Sequence, residues 1–389
     1  MYPAAPGELA KETAQITTGV SCAQDAVTAA REFFEAVRHP DLDTVLFFCS
    51  PQYNLAELGA ELNALFGDVH LVGCTTAGEI TPRGYIEGSI TGVGFSAPGF
   101  TAVSEVIENL KDLSIATVRE VVQGAIARLD QKVPDRAPGT TFAFVMIDGM
   151  SQQEEQVASS VFNALGDIPL LGGSAGDDLS YVASYVFQNG RFHSASAALL
   201  LVHTKHPFKI FKTEHFSSTG KKMVVTAAGS DRRVEELNAV PAAREYARVI
   251  GLPKEELNPL VFAAHPLVVR VGGEYHVRSI QRVNDDDSLS FLCAIDEGIV
   301  LTVAESGDIV QDLASQFDEL RSSLNNIQVI IGCDCILRRL EMERKEVKSA
   351  ISEILLGNKV IGFSTYGEQY HSMHVNQTFT AVAIGLEAD

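Results

Sequence analysis

"VGCTTAGE" at residues 72–79 and "IGFSTYGE" at residues 361–368 are the same phrase written twice. The shared frame is an apolar residue, Gly, any residue, Ser or Thr, Thr, any residue, Gly, Glu. Each copy ends an apolar run, "VHLVGCTT" and "VIGFST", that reads as a buried strand. Glycines there let the backbone turn with positive φ and let another strand or a ligand come close. A third run, "IPLLGGSAGDD" (168–178), has a similar composition of glycines, a serine and then acids. Hydroxyls and carboxylates at strand ends occupy the usual ligand position of layered sheets. The candidate ligand-loop residues are therefore Thr76, Gly78, Glu79, Ser174, Thr365, Gly367 and Glu368. The same residues also suit tight turns that bond their own backbone.

Outward from these phrases the chain alternates in type. Helical spacing at 21–39, 54–67 and 115–133 is interleaved with strand-like runs at 43–50, 69–76 and 141–148. Gly67 closes the second helix, and Ser151 with Glu154 predicts a capping box. "SITGVGFS" and "FTAVSEVIE" read as strands paired around "APGF". Asn189-Gly190 predicts a hairpin. Beyond about residue 230 the pattern becomes a strand meander turning on Gly272-Gly273, followed by helices. The expectation is an α/β to α+β chain of layered sheets with helices, in two domains at 25–230 and 231–388.

At 389 residues the chain has room for two or three cores, and its net charge of −20 disfavours nucleic acid. Arg338, Arg339, Arg344 and Lys345 alternate with glutamates and read as a solvated helix face. Six cysteines without scaffold spacing and no stretch approaching the ~20 apolar residues of a membrane span point to a reducing, cytoplasmic setting. The patterns GxxxxGK[ST], GxSxG and HExxH are missing, and the enzyme reading left open is one of unknown type with Glu79 or Glu368 as a general base. The ten histidines lie mostly in apolar or aromatic company, the setting of an axial haem ligand.

Four phrases in order, "VGCTTAGEI", "LLGGSAGDD", "GCDCILRRLE" and "GFSTYGEQYHSMHVNQTFTAVAIG", resemble the FIST (F-box and intracellular signal transduction) sensory family over roughly residues 40–388. The first two resemble its N-terminal domain and the last two its C-terminal domain. The ending resembles one branch more closely, the bacterial nitric-oxide-sensing haemoproteins (NosP). That resemblance implies haem b as cofactor and nitric oxide as ligand. It implies a separate histidine kinase or cyclic-di-GMP enzyme as partner, and regulation of biofilm behaviour. It does not say which histidine holds iron. His374, at the start of the last strand region, is the first choice, with Asn376 on the same face to orient its ring. His215, beside Phe211 and Phe216, is second. His193, His203, His206, His265 and His371 follow, and Arg278, Arg282 and Arg338 are candidates for the propionates. The other reading is a FIST sensor for a small polar metabolite such as an amino acid, held by the ligand-loop residues without haem.

Overall fold

The computed structural model describes residues 15–386 apart from 230 and 272, so Gly272 of the expected Gly272-Gly273 turn lies outside the described residues. Three six-stranded sheets build the main body, and they follow one plan. The first unit runs through strand Ile16–Ser21, helix Ala26–Val37, strand Leu42–Cys49, helix Leu55–Phe66 and strand His70–Thr75. It then forms the hairpin Glu79–Thr81 with Gly84–Ile86 and ends on strand Ile90–Ser96. The second unit repeats this from Phe100–Ile107 to Ala197–Thr204, with its hairpin at Val186–Gln188 and Arg191–His193. The third begins at Phe208–Thr213 and resumes at helix Ile309–Ser323, with core strands Ile327–Cys335 and Val360–Thr365. Its hairpin is Glu368–Tyr370 with Met373–Val375, and Phe379–Gly385 ends it.

In every sheet the order is first strand, last strand, second strand, third strand, and then a hairpin lent by another unit. The first unit's hairpin joins the third sheet, the second unit's joins the first, and the third unit's joins the second. The quoted phrase is thus written three times, with Gly73, Gly172 and Gly362 in equivalent positions. Each pairs in parallel register with the core strand beside it, opposite Phe47, Val145 and Gly332. A Cβ would stand 2.5, 1.9 and 1.8 Å from the carbonyl oxygens of those three residues. Glycine is used here for close approach of backbone to backbone.

Where the three core strands end, backbone bonds pass cyclically between units. Ala77 donates to Ser364 O at 3.0 Å, Tyr366 to Ser174 O at 3.3 Å, and Gly176 to Thr75 O at 3.0 Å. Each strand therefore satisfies its terminal carbonyl on the next unit rather than on its own. The apolar interior enclosed by the sheets includes Phe48, Phe95, Phe144 and Phe363, with Phe48 and Phe363 stacked at 4.5 Å. Helices cover the outer faces. Asp25, Asn54, Ser114 and Asp308 each cap one by accepting a first-turn amide.

Between Phe208–Thr213 and Ile309–Ser323 the chain leaves to build a second body. It is an eight-stranded sheet over Phe216–Ser306, with helices Ala242–Ile250 and Pro259–Ala264 packed around Tyr246 and Phe262. The mixed α/β, layered character expected from alternation is present. The 230/231 position falls between two paired strands of this second body, Phe216–Gly229 and Arg233–Leu237.

Several local expectations change. Ile90–Ser96 and Phe100–Ile107 do not pair, because the second strand opens a new unit and joins Ala197–Thr204 instead. Ser151 does not cap the helix starting at Glu154, since its Oγ accepts from Gln153 N within the preceding turn. Arg338 and Arg339 are buried rather than solvated, because Arg338 bonds Asp334 and the distant His215, and Arg339 reaches Ala77 O and Glu87 of the first unit. Of the four frame glycines only Gly78 has positive φ. No helix among the described residues is long and apolar enough to cross a membrane.

Candidate functional site

The two full copies of the phrase close on themselves. Thr76 Oγ1 donates to Glu79 Oε1 at 2.5 Å, and Glu79 Oε2 accepts from the Ser89 amide and hydroxyl at 3.0 and 2.7 Å. Thr365 bonds Glu368 in the same way, and Glu368 Oε2 accepts from the Thr378 amide and hydroxyl at 3.2 and 2.7 Å. Gly78 and Gly367 each donate a backbone N–H to the threonine two residues before. All four Thr and Glu side chains are fully buried. These residues form two matching staples that pin each hairpin to its own unit's last strand. Ser174, also buried, accepts from Gln369 Nε2 at 3.0 Å. The expectation of three open, ligand-facing loops therefore changes: their polar groups are satisfied within the protein.

Burial pushes the Glu79 carboxyl up to about 7 and Glu368 up to about 8, against the hydroxyl and amide bonds that favour ionisation. Both acids hold a proton more tightly folded than unfolded. Their stabilising contribution is complete below the ordinary glutamate range. It falls as pH rises through that range and is gone above about 7 and about 8 respectively. Each unit of displacement corresponds to about 1.4 kcal/mol, so the combined effect is on the order of several kcal/mol. Glu79→Gln and Glu368→Gln mimic the neutral acid. Melting temperatures measured across this window are expected to fall with pH for the natural protein and much less for the double variant. Parallel curves would contradict the assignment.

The two histidines first chosen for iron are engaged at both ring nitrogens. His374 Nδ1 lies 3.1 Å from Gln369 Nε2, and its Nε2 lies 3.2 Å from Leu292 O in the second body. Since the amide donates, Nδ1 accepts and Nε2–H donates to the carbonyl. Gly367 makes room for this ring: a Cβ there would meet His374 Cε1 at 2.2 Å and Asn376 Nδ2 at 2.8 Å. His215 sits between Glu341 Oε2 at 2.8 Å and Arg338 Nη1 at 3.0 Å. Arg338 also donates to Asp334 at 2.7 Å, and Tyr85 of the first unit's hairpin reaches the same carboxylate. An axial ligand needs a free imidazole lone pair, and neither His374 nor His215 offers one in this arrangement.

His371 does. It stands at the two-residue turn of the third hairpin with φ 54°, its ring against Phe162 and Tyr370. Among the described residues no hydrogen bond holds either ring nitrogen. Burial lowers its pKa from the ordinary histidine range, which keeps a lone pair available at neutral pH. The ring lines a cleft of about 610 Å³ between the two bodies. The main body contributes Lys212, Glu214, Tyr370 and His371; the second contributes Phe216, Val268, Tyr275, Val277 and Ala304. Of the basic residues considered for propionates, Arg338 is committed to Asp334 and His215, and Arg282 lies in a different cleft. Lys212, ion-paired with Glu214 at 3.1 Å, is the cation that borders this cleft. The sequence signal for His371 was its place in a turn between two short strands. Such a ring projects outward, whereas His374 on the strand points into packing.

The FIST N domain matches residues 43–240 and the FIST C domain residues 242–371. The chain belongs to the FIST family. FIST domains are sensory domains of signal transduction, and the two matches together take in the second body and most of the three sheets, leaving out Ile16–Ser21, Met373–Val375 and Phe379–Gly385. No curated protein matches the chain. Among solved structures, cyanuric acid hydrolase from A. caulinodans is similar at TM-score 0.40 and 9% identity, over 96% of this chain and 99% of that one. PurLQS from Thermotoga maritima is similar at TM-score 0.19 and 9% identity, over 96% and 72%. At these values neither likeness bears on the fold or activity of this FIST protein.

Proposed function

We propose that this FIST protein is a cytoplasmic sensor that binds haem b in the cleft between its two bodies, with His371 as the iron ligand. On this reading it responds to nitric oxide and passes the signal to a separate histidine kinase or cyclic-di-GMP enzyme. The observation that carries the reading is an imidazole with both nitrogens uncommitted among the described residues, at the edge of a cleft lined by Phe216, Val268, Val277 and Ala304 as well as by Ser217, Ser218, Lys212 and Glu214. The cleft volume falls within the roughly 300–1,000 Å³ usual for ligand sites. Haem supplies affinity for nitric oxide, and the chain's own residues do the rest. Phe216, Val268, Val277 and Ala304 offer apolar walls, and Lys212 offers charge for a propionate. A ligand wedged there touches both bodies at once, so its state can bias how they sit against each other. The closed Thr–Glu staples support a role as binding protein, since neither Glu79 nor Glu368 faces a substrate as a general base.

The test is an absorption spectrum of the purified protein after haem reconstitution. A Soret band that shifts with nitric oxide is expected. His371→Ala should abolish or shift it, while His374→Ala should keep the band and lower the melting temperature. A colourless reconstituted protein ends the haem reading. A band lost only in His374→Ala moves the ligand to His374.

A further inference from the structure

We infer that the buried, unpartnered amides beside His374 form a second site that takes a small neutral carboxamide or urea. Asn376 is wholly buried, and neither its Oδ1 nor its Nδ2 has a partner among the described residues. Gln377 beside it is equally buried, with both amide atoms unpartnered, and Gln369 leaves its Oε1 unpartnered. Buried polar groups are almost always hydrogen-bonded, and a cluster of unpartnered amides marks a place where something polar is received. The cluster is tied together around Gly367. His374 Nε2 and Asn376 Nδ2 both come within 3 Å of the point where a Cβ would stand, at 2.7 and 2.8 Å, and Gln369 holds His374.

The chemistry of the site selects its ligand. An unpartnered carboxamide presents one acceptor and one donor along a single planar edge. The complement is another such edge, giving two parallel hydrogen bonds. The neighbouring charges leave no cation to spare: Glu155 and Glu154 are both bonded to the one guanidinium of Arg232, and Glu155 also accepts from Ala294 N at 2.6 Å. A carboxylate brought here would be buried without a counter-charge, which excludes a zwitterionic amino acid. Because His374 also bonds Leu292 O of the second body, a ligand on Asn376 would sit against one of the contacts joining the two bodies. This site is separate from the His371 cleft, and its test needs no haem.

Acetamide serves as the probe, sodium acetate as its isosteric anion and N,N-dimethylacetamide as the form without a donor. Ligands of so few atoms bind weakly, so millimolar additions are scanned by thermal shift on the full chain. Acetamide is expected to raise the melting temperature saturably, with neither control doing so. Asn376→Leu, similar in shape but apolar, should lose the acetamide response while melting no lower than the natural protein, because it removes two unpartnered groups. Should that variant fail to fold, asparagine-selective 15N labelling of the natural protein reads the same interaction. One side-chain amide signal should then move saturably with acetamide only. No response to acetamide, an equal response to acetate, or a response retained in Asn376→Leu overturns the assignment.

Discussion

Gly362→Val is expected to abolish the fold. Its Cβ would lie 1.8 Å from Gly332 O, 2.7 Å from Gly332 C and 3.0 Å from Gly332 N. Every atom it meets is backbone of a central strand, so no side chain can swing aside. Overpacking of a core usually costs about 1–3 kcal/mol. A clash confined to backbone belongs above that, at roughly 4–5 kcal/mol or more, a large part of a typical domain's stability. Gly172→Val, facing Val145 O at 1.9 Å, should behave alike. Gly357→Ala is the control. It ends a helix with nothing within 4 Å and should stabilise by up to about 1 kcal/mol. Soluble yield and urea midpoints separate the outcomes. A Gly362→Val protein with an unchanged midpoint would refute the close approach of the parallel strands.

Arg338→Met is the other large effect. Arg338 is essentially unexposed, and its fork joins Asp334 at 2.7 Å and His215 at 3.0 Å. Removing it leaves Asp334 buried beside Tyr85 without a cation. Breaking one partner of a buried pair typically costs about 3–5 kcal/mol. Arg338→Lys should recover only part, because one ammonium does not reproduce two donors held in a fork. A urea midpoint for Arg338→Met within error of the natural protein would mean the pair contributes nothing.

How much of this was legible in the sequence differs by element. The core strands were, because apolar runs ending in glycine have one common use. Two copies of the phrase were obvious, since both keep Thr and Glu. The third was disguised. Leu171, Gly172 and Ser174 keep the frame, but Ala175 replaces the threonine, and the Asp177–Tyr185 loop replaces the staple. The exchange of hairpins was invisible: "EIT" and "EQY" look like ordinary continuations of their own strands, and only three-dimensional closure sends them elsewhere. Arg338 read as solvated because charge density in a sequence says nothing about partners such as His215, which comes from a distant strand end. For the candidate site, apolar company singled out the histidines as a group. Choosing among them required the occupancy of each ring nitrogen, a property of contacts that local spacing does not encode.

The lending of hairpins also has a consequence for how the chain is made. The first sheet lacks its outer strands until Val186–His193 has been synthesised, and the second lacks its own until Glu368–Val375 exists. The third begins with a strand at Phe208–Thr213 and waits for Phe379–Gly385 to lie beside it. A nascent chain therefore carries open sheet edges for most of its time on the ribosome, and those edges are templates for unwanted pairing. Contacts so distant in sequence make for slow closure. The burden of keeping this protein from aggregating falls on the interval between emergence of the second unit and release of the last strand, when chaperone protection matters most.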